Sequence, residues 1–187
     1  AGNAEASIRY CGFPDHNKPV LLIVGGSSGS KVINEAVRKV LPELLEQFYV
    51  IHLCGKGNLD EQLKGVLGYA QFEYASAELT DMFALADMAI SRAGANSICE
   101  LLALHKPNIL IPLSAAASRG DQILNAKSFA KQGFSYVLEE EQLTDKTLLS
   151  AVKEVYENRE KYIKAMSESG QMDSIGTIVN LIEEQAR

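Results

Sequence analysis

Short apolar runs at 20–24, 49–53, 71–74, 88–91, 108–112 and 135–138 recur along the chain, each followed by a longer segment of mixed polarity. The runs predict six strands. The segments between them, at about 31–46, 58–67, 79–85, 96–104 and 121–131, have the spacing of amphipathic helices, and three more such stretches follow at 145–158, 160–167 and 174–185. Strands alternating with helices build βα units, and hence a parallel sheet. Leu21-Leu22-Ile23-Val24 and Ile109-Leu110-Ile111 are apolar at every position, as strands are when helices cover both faces. The expected fold is α/β: a Rossmann-like, doubly wound parallel sheet of about six strands. Residues 1–18 read as an entry segment, 19–170 as the sheet domain, and 171–187 as a C-terminal helix with Ile175, Ile178, Val179 and Ile182 at helical spacing.

Ligands of such sheets bind beyond the carboxyl ends of the strands, so the chemistry is sought in the loops at 25–30, 54–58, 75–78, 92–97 and 113–121. The first of these, Gly25-Gly26-Ser27-Ser28-Gly29-Ser30, is a glycine-rich turn between a strand and a helix. Small residues let backbone approach an anion, and the next helix offers unpaired N–H groups and the positive end of its dipole. It is neither G-x-G-x-x-G nor the lysine-containing phosphate loop, so it points to phosphate without specifying which. The plain alternative is a turn whose small residues serve tight packing.

In Ser91-Arg92-Ala93-Gly94-Ala95-Asn96-Ser97-Ile98-Cys99-Glu100, Ser97 and Glu100 match the S-x-x-E capping box, which makes Glu100 structural. Alternatively, a carboxylate at a strand end accepts two hydrogen bonds from a ribose diol, although the sequence alone favours the cap. Gly120-Asp121-Gln122-Ile123-Leu124-Asn125-Ala126 opens a further helix. Asp121 reads as a first-turn charge or cap, while Gln122 and Asn125 share a face and carry amides suited to hydroxyl-rich ligands. His52 has no acidic or cysteine partner at useful spacing, and no D-x-D pair is present.

Charge narrows the function classes. A net charge of −6 and a pI near 5.1 argue against a general nucleic-acid binder. Cys11, Cys54 and Cys99 are far apart and form no C-x-x-C, so free thiols in a reducing compartment are expected rather than disulfides or zinc. No apolar run approaches the roughly 20 residues of a membrane helix and no signal sequence opens the chain, so a cytoplasmic location is expected. A start at Ala1 suggests an excised piece of something longer.

Taken in order, Gly25 to Ser30 with Asn34, His52-Leu53-Cys54-Gly55-Lys56, Ser91 to Glu100, and Asp121-Gln122 with Asn125-Ala126 resemble the donor-binding half of the MurG-like glycosyltransferases of family 28, which have the GT-B fold. That resemblance implies inverting transfer of N-acetylglucosamine from UDP-N-acetylglucosamine to a lipid-linked muramyl-pentapeptide in peptidoglycan synthesis. Ser27, with Ser28 and Gly29, would meet the UDP diphosphate, and backbone at Ala75 and Ser76 the uracil edge. Gly94, Ala95, Asn96, Ser97 and Glu100 would form the nucleotide-binding segment, with Glu100 on the ribose hydroxyls. Gln122, Asp121 and Asn125 would line the sugar site. Asp121 departs from members with a second glutamine there, and Leu53 from the polar residue often found after the histidine. The resemblance implies no cofactor or metal, helix amides taking the metal's place at the leaving diphosphate. It further implies a general base, the lipid-linked acceptor and a peripheral contact with the cytoplasmic membrane face, all belonging to an N-terminal domain that this sequence does not match. The piece alone would bind donor without catalysis. Rival readings are a GT-B enzyme with another acceptor, a UDP-N-acetylglucosamine 2-epimerase, a binding subunit serving a separate acceptor-domain chain, and a dinucleotide-dependent oxidoreductase, which lacks its fingerprint.

Overall fold

A computed structural model describes residues 2–26 and 29–170. In chain order the elements are α1 (Ala4–Cys11), β1 (Val20–Val24), α2 (Lys31–Lys39), α3 (Leu41–Gln47), β2 (Tyr49–Leu53), β3 (Tyr69–Phe72), α4 (Glu78–Leu85), β4 (Met88–Ser91), α5 (Ala95–Ala103), β5 (Asn108–Leu110), α6 (Ala115–Ser118), α7 (Asp121–Lys131), β6 (Tyr136–Val137), α8 (Asp145–Glu157) and α9 (Arg159–Gly170). The strands hydrogen-bond in the order β3-β2-β1-β4-β5-β6, the order of a doubly wound sheet. The chain divides into two compact units, Ala1–Ile90 and Ser91–Arg187.

In the first unit β2 pairs in parallel with β1 (Val20 opposite Tyr49, Val24 opposite Leu53) and with β3 (Val50 opposite Tyr69, Leu53 opposite Phe72). Leu21, Leu22 and Ile23 have no exposed surface, as their unbroken apolar run predicts. Burying each such side chain contributes about 1.5–3 kcal/mol. The entry segment holds one short helix: Asn3 caps α1 through its side chain, and Gly12 ends it at φ 72°. It is fastened to α4 by the Asn3 N–H, which donates to Asp81 Oδ1 at 2.6 Å.

Two expectations fail here. The segment 31–46 is not one helix, because Pro42 lies at the start of α3 and the chain breaks at Val40. The segment 58–67 holds only a 3₁₀ turn, Glu61–Leu63, since Gly57, Gly65 and Gly68 take left-handed φ values of 78°, 82° and 86° around it. The third strand also begins two residues earlier than 71.

In the second unit β5 and β6 pair in parallel, with Ile109 opposite Tyr136. Phe129 of α7 meets Phe134 edge to face at 5.4 Å between ring centroids. Thr144 and Thr147 form a reciprocal capping box at the start of α8, which buries Leu148, Ala151, Val152 and Val155. Tyr162 and Met166 of α9 are also buried. The predicted helix at 174–185 lies outside the described residues.

Candidate functional site

The loop after β1 leads into α2, whose start is fixed by Ser30. Its side chain accepts the Ile33 N–H at 3.2 Å, and its carbonyl accepts the Asn34 N–H at 2.8 Å. The N–H groups of Lys31 and Val32 then have no hydrogen-bond partner among the described residues, which leaves two donors at the positive end of the helix. Ser27 and Ser28 lie outside the described residues. Both readings of the glycines have support: a Cβ on Gly25 would stand 2.7 Å from the Ser30 nitrogen, and one on Gly29 would stand 2.1 Å from the Cys54 carbonyl oxygen. Gly26, at φ 94°, faces open space.

Beneath this turn lies a polar network centred on His52, which has no exposed surface. Asn34 donates through Nδ2 to the Cys54 carbonyl at 2.8 Å, so its Oδ1 is the acceptor for His52 Nε2 at 2.8 Å. The imidazole therefore carries its proton on Nε2. Nδ1 in turn accepts from the Tyr69 hydroxyl at 2.7 Å. Burial, assisted by the nearby Arg38 cation, pushes the His52 pKa down to about 3. The ring is neutral and fully partnered, so it is no general base. Arg38 ties down the next loop, donating from Nη2 to the Asn58 carbonyl (2.7 Å) and Gln71 Oε1 (3.0 Å).

At the end of β3 the Ser76 N–H donates to Glu78 Oε2 at 3.2 Å, while Ala75 is half-buried. Ser76 borders a cavity of about 340 Å³ whose walls include Tyr10, Phe72, Tyr74 and Glu78. Tyr10 and Phe72 stack at 5.0 Å between centroids, and Tyr74 is 70% exposed. No motif in the sequence marks these rings. The signal was an aromatic at 72 and another at 74 beside a half-polar edge strand.

In the second unit the predicted capping box is absent. Helix α5 starts at Ala95, with Gly94 as its N-cap and no side-chain cap, so Ser97 lies inside the first turn rather than before it. The structural role expected for Glu100 therefore fails. Its side chain is exposed, and its carboxylate makes no hydrogen bond or ion pair among the described residues. The Ala95, Asn96 and Ser97 N–H groups are likewise without partners, the first intrahelical bond being Ile98 N–H to the Gly94 carbonyl at 3.0 Å.

Helix α7 begins at Asp121 as predicted, after Gly120 at φ 86°. Asp121 is an exposed first-turn charge and makes no capping bond. Gln122 and Asn125 do share a face, and both grip Ala93. Gln122 Oε1 accepts the Ala93 N–H (3.2 Å) and the Leu113 N–H (2.9 Å), while Asn125 Nδ2 donates to the Ala93 carbonyl (2.9 Å). These bonds leave the Gln122 NH₂ close to Gly94 and the Asn125 Oδ1 buried without a partner among the described residues. Arg92, to which the sequence reading gave no role, is 7% exposed. It donates to the Ile111 carbonyl at 3.1 Å and pairs with Glu140 at 2.6 Å.

The three cysteines are free, and burial raises the pKa of each, that of Cys11 to about 11. None is poised as a thiolate. Among the described residues no cluster of three His, Cys, Asp or Glu is arranged to hold a metal ion, and no helix is long and apolar enough to cross a membrane.

The sequence matches the family model described as the glycosyltransferase family 28 C-terminal domain over residues 20–181. It is 60% identical, over 98% of its length, to 52% of a UDP-N-acetylglucosamine--N-acetylmuramyl-(pentapeptide) pyrophosphoryl-undecaprenol N-acetylglucosamine transferase from Lachnoclostridium phytofermentans. It is 55% identical, over its full length, to 52% of the protein of the same name from Lachnospira eligens. The chain thus spans about half the length of these relatives. Among solved structures, MurG of Acinetobacter baumannii superposes with a TM-score of 0.70 at 22% identity, over 97% of this chain and 53% of that one, a likeness of fold.

Proposed function

The chain belongs to the family of glycosyltransferase family 28 C-terminal domains, and on that premise we propose that it is the donor-binding half of a UDP-N-acetylglucosamine transferase. The proposed reaction carries N-acetylglucosamine, with inversion, to a lipid-linked muramyl-pentapeptide. Identity of 60% to a protein bearing that name carries this reading. Residues 19–170 form the donor-binding domain. The acceptor, the general base and the peripheral membrane contact fall to the further half of the chain that the relatives possess.

The ligand divides into parts with distinct chemistry, and each is matched to a group of suitable type. The diphosphate goes to the turn containing Ser27, Ser28 and Gly29 and to the open N–H groups of Lys31 and Val32, where helix-end donors stabilise charge building on the departing UDP. The uracil goes to the backbone at Ala75 and Ser76, beside the aromatic-walled cavity. The ribose diol goes to Glu100, whose carboxylate is exposed and uncommitted, with Gly94 to Ser97 alongside. The sugar goes to Asp121, the Gln122 NH₂ and Asn125. No step needs a metal ion.

Calorimetric titration of the chain with UDP-N-acetylglucosamine, UDP-glucose and UDP tests this reading. Saturable binding of all three, tightest for the N-acetylated sugar, is expected. Absence of binding to all three by folded protein overturns it.

A further inference from the structure

His52 is wholly buried and donates from Nε2 to Asn34, which passes a second bond to the Cys54 carbonyl. Against that same carbonyl oxygen lies Gly29, so closely that a Cβ there would stand 2.1 Å away. Asn34 is also the residue whose own N–H closes the first turn of α2 on the Ser30 carbonyl at 2.8 Å. One side chain thus couples the head of α2, and the strand end on which Gly29 packs, to a single imidazole.

An apolar side chain would fill position 52 at less desolvation cost, as Ile51 does beside it with no exposed surface. A buried imidazole is stable here because both of its nitrogens are satisfied, and each bond fixes a direction as well as filling space. We propose that His52 is a positioning residue for phosphate binding: acting through Asn34, it sets Gly29 and the N–H groups of Lys31 and Val32 where a nucleotide diphosphate meets them, without touching the ligand. This rests on the donor-binding reading above. The attraction of a helix N-terminus for an anion is confined to its first turn, so a small displacement of these donors weakens phosphate binding selectively.

UDP and uridine, titrated separately into the chain, distinguish positioning from general support, because only UDP carries phosphates. His52→Asn removes the Nε2 donor while keeping an acceptor toward Tyr69, whereas His52→Gln places an amide N–H toward Asn34. In protein shown to be folded, His52→Asn and Asn34→Ala are expected to weaken UDP binding about tenfold, the equivalent of one hydrogen bond. Uridine binding should stay within about twofold, and His52→Gln should recover most of the UDP affinity. Asn34→Ala carries the same expectation even where His52→Asn fails to fold. Equal loss of UDP and uridine binding, or undiminished UDP binding by folded Asn34→Ala, overturns the proposal. Wild-type chain that binds uridine as tightly as UDP also overturns it while leaving a nucleoside site standing. Wild-type chain that binds neither overturns the donor-binding reading itself.

Discussion

Two turns of this molecule are built by opposite means. The turn before α2 is held from beneath, by a neutral histidine and an asparagine that are both buried, and its helix start is capped by Ser30. The turn before α5 is held from the side, by Gln122 and Asn125 of α7 on Ala93, and its helix start has no side-chain cap at all. In both, amide side chains use hydrogen bonds to shape backbone, while the carboxylates of Glu100 and Asp121 make no hydrogen bond or ion pair among the described residues. Gln122 and Asn125 thus use one end of the amide to build the turn and keep the other end for a ligand, whereas Glu100 and Asp121 are exposed.

The contrast is broken most severely by Glu140→Leu. It removes the carboxylate that pairs with buried Arg92, and loss of about 3 kcal/mol of unfolding free energy is expected in urea denaturation. Gln122→Ala comes next. It strips an acceptor from the Ala93 and Leu113 N–H groups, and a loss of about 2 kcal/mol, read as a lowered melting temperature, is expected. Gln122→Glu keeps an acceptor oxygen and should recover most of that stability.

The third effect is one of pH. The His52 pKa is about 3 in the folded chain against an ordinary 6.5, so as pH falls the unfolded chain takes up this proton first. His52 stability is therefore whole above about pH 6.5 and is lost progressively toward pH 3, with a slope of at most about 1.4 kcal/mol per pH unit. Urea midpoints measured from pH 7 to 4 should decline less steeply in His52→Gln. An unchanged slope would contradict a neutral, buried His52. The smallest effect on stability belongs to Glu100→Ala, which should leave the melting temperature unmoved yet weaken UDP about tenfold, as loss of charged hydrogen bonds to a ribose requires.

Strands β1, β2 and β4 and helix α7 were legible residue for residue, because apolar runs and helical spacing report burial directly. The failures have local causes. Pro42 splits a continuous amphipathic pattern, and glycines at left-handed φ dismantle the helix expected at 58–67. Ser97 and Glu100 satisfied a capping pattern, but the helix had already begun at Ala95. Of the candidate site, the positions of the loops that follow the strands were legible. The direction in which each polar side chain points was not, because the partners of His52 and Gln122 come from 9 to 29 residues away.

On the proposed function, this chain holds the nucleotide of a UDP-sugar at named backbone groups. Titrating ¹⁵N-labelled chain with UDP and following its amide signals tests that most directly. Saturable shifts at Lys31, Val32, Ser76 and Ala95 to Ser97, with α8 and α9 unmoved, are the predicted result. Shifts confined to other surfaces, or no shift with UDP in large excess, would contradict it.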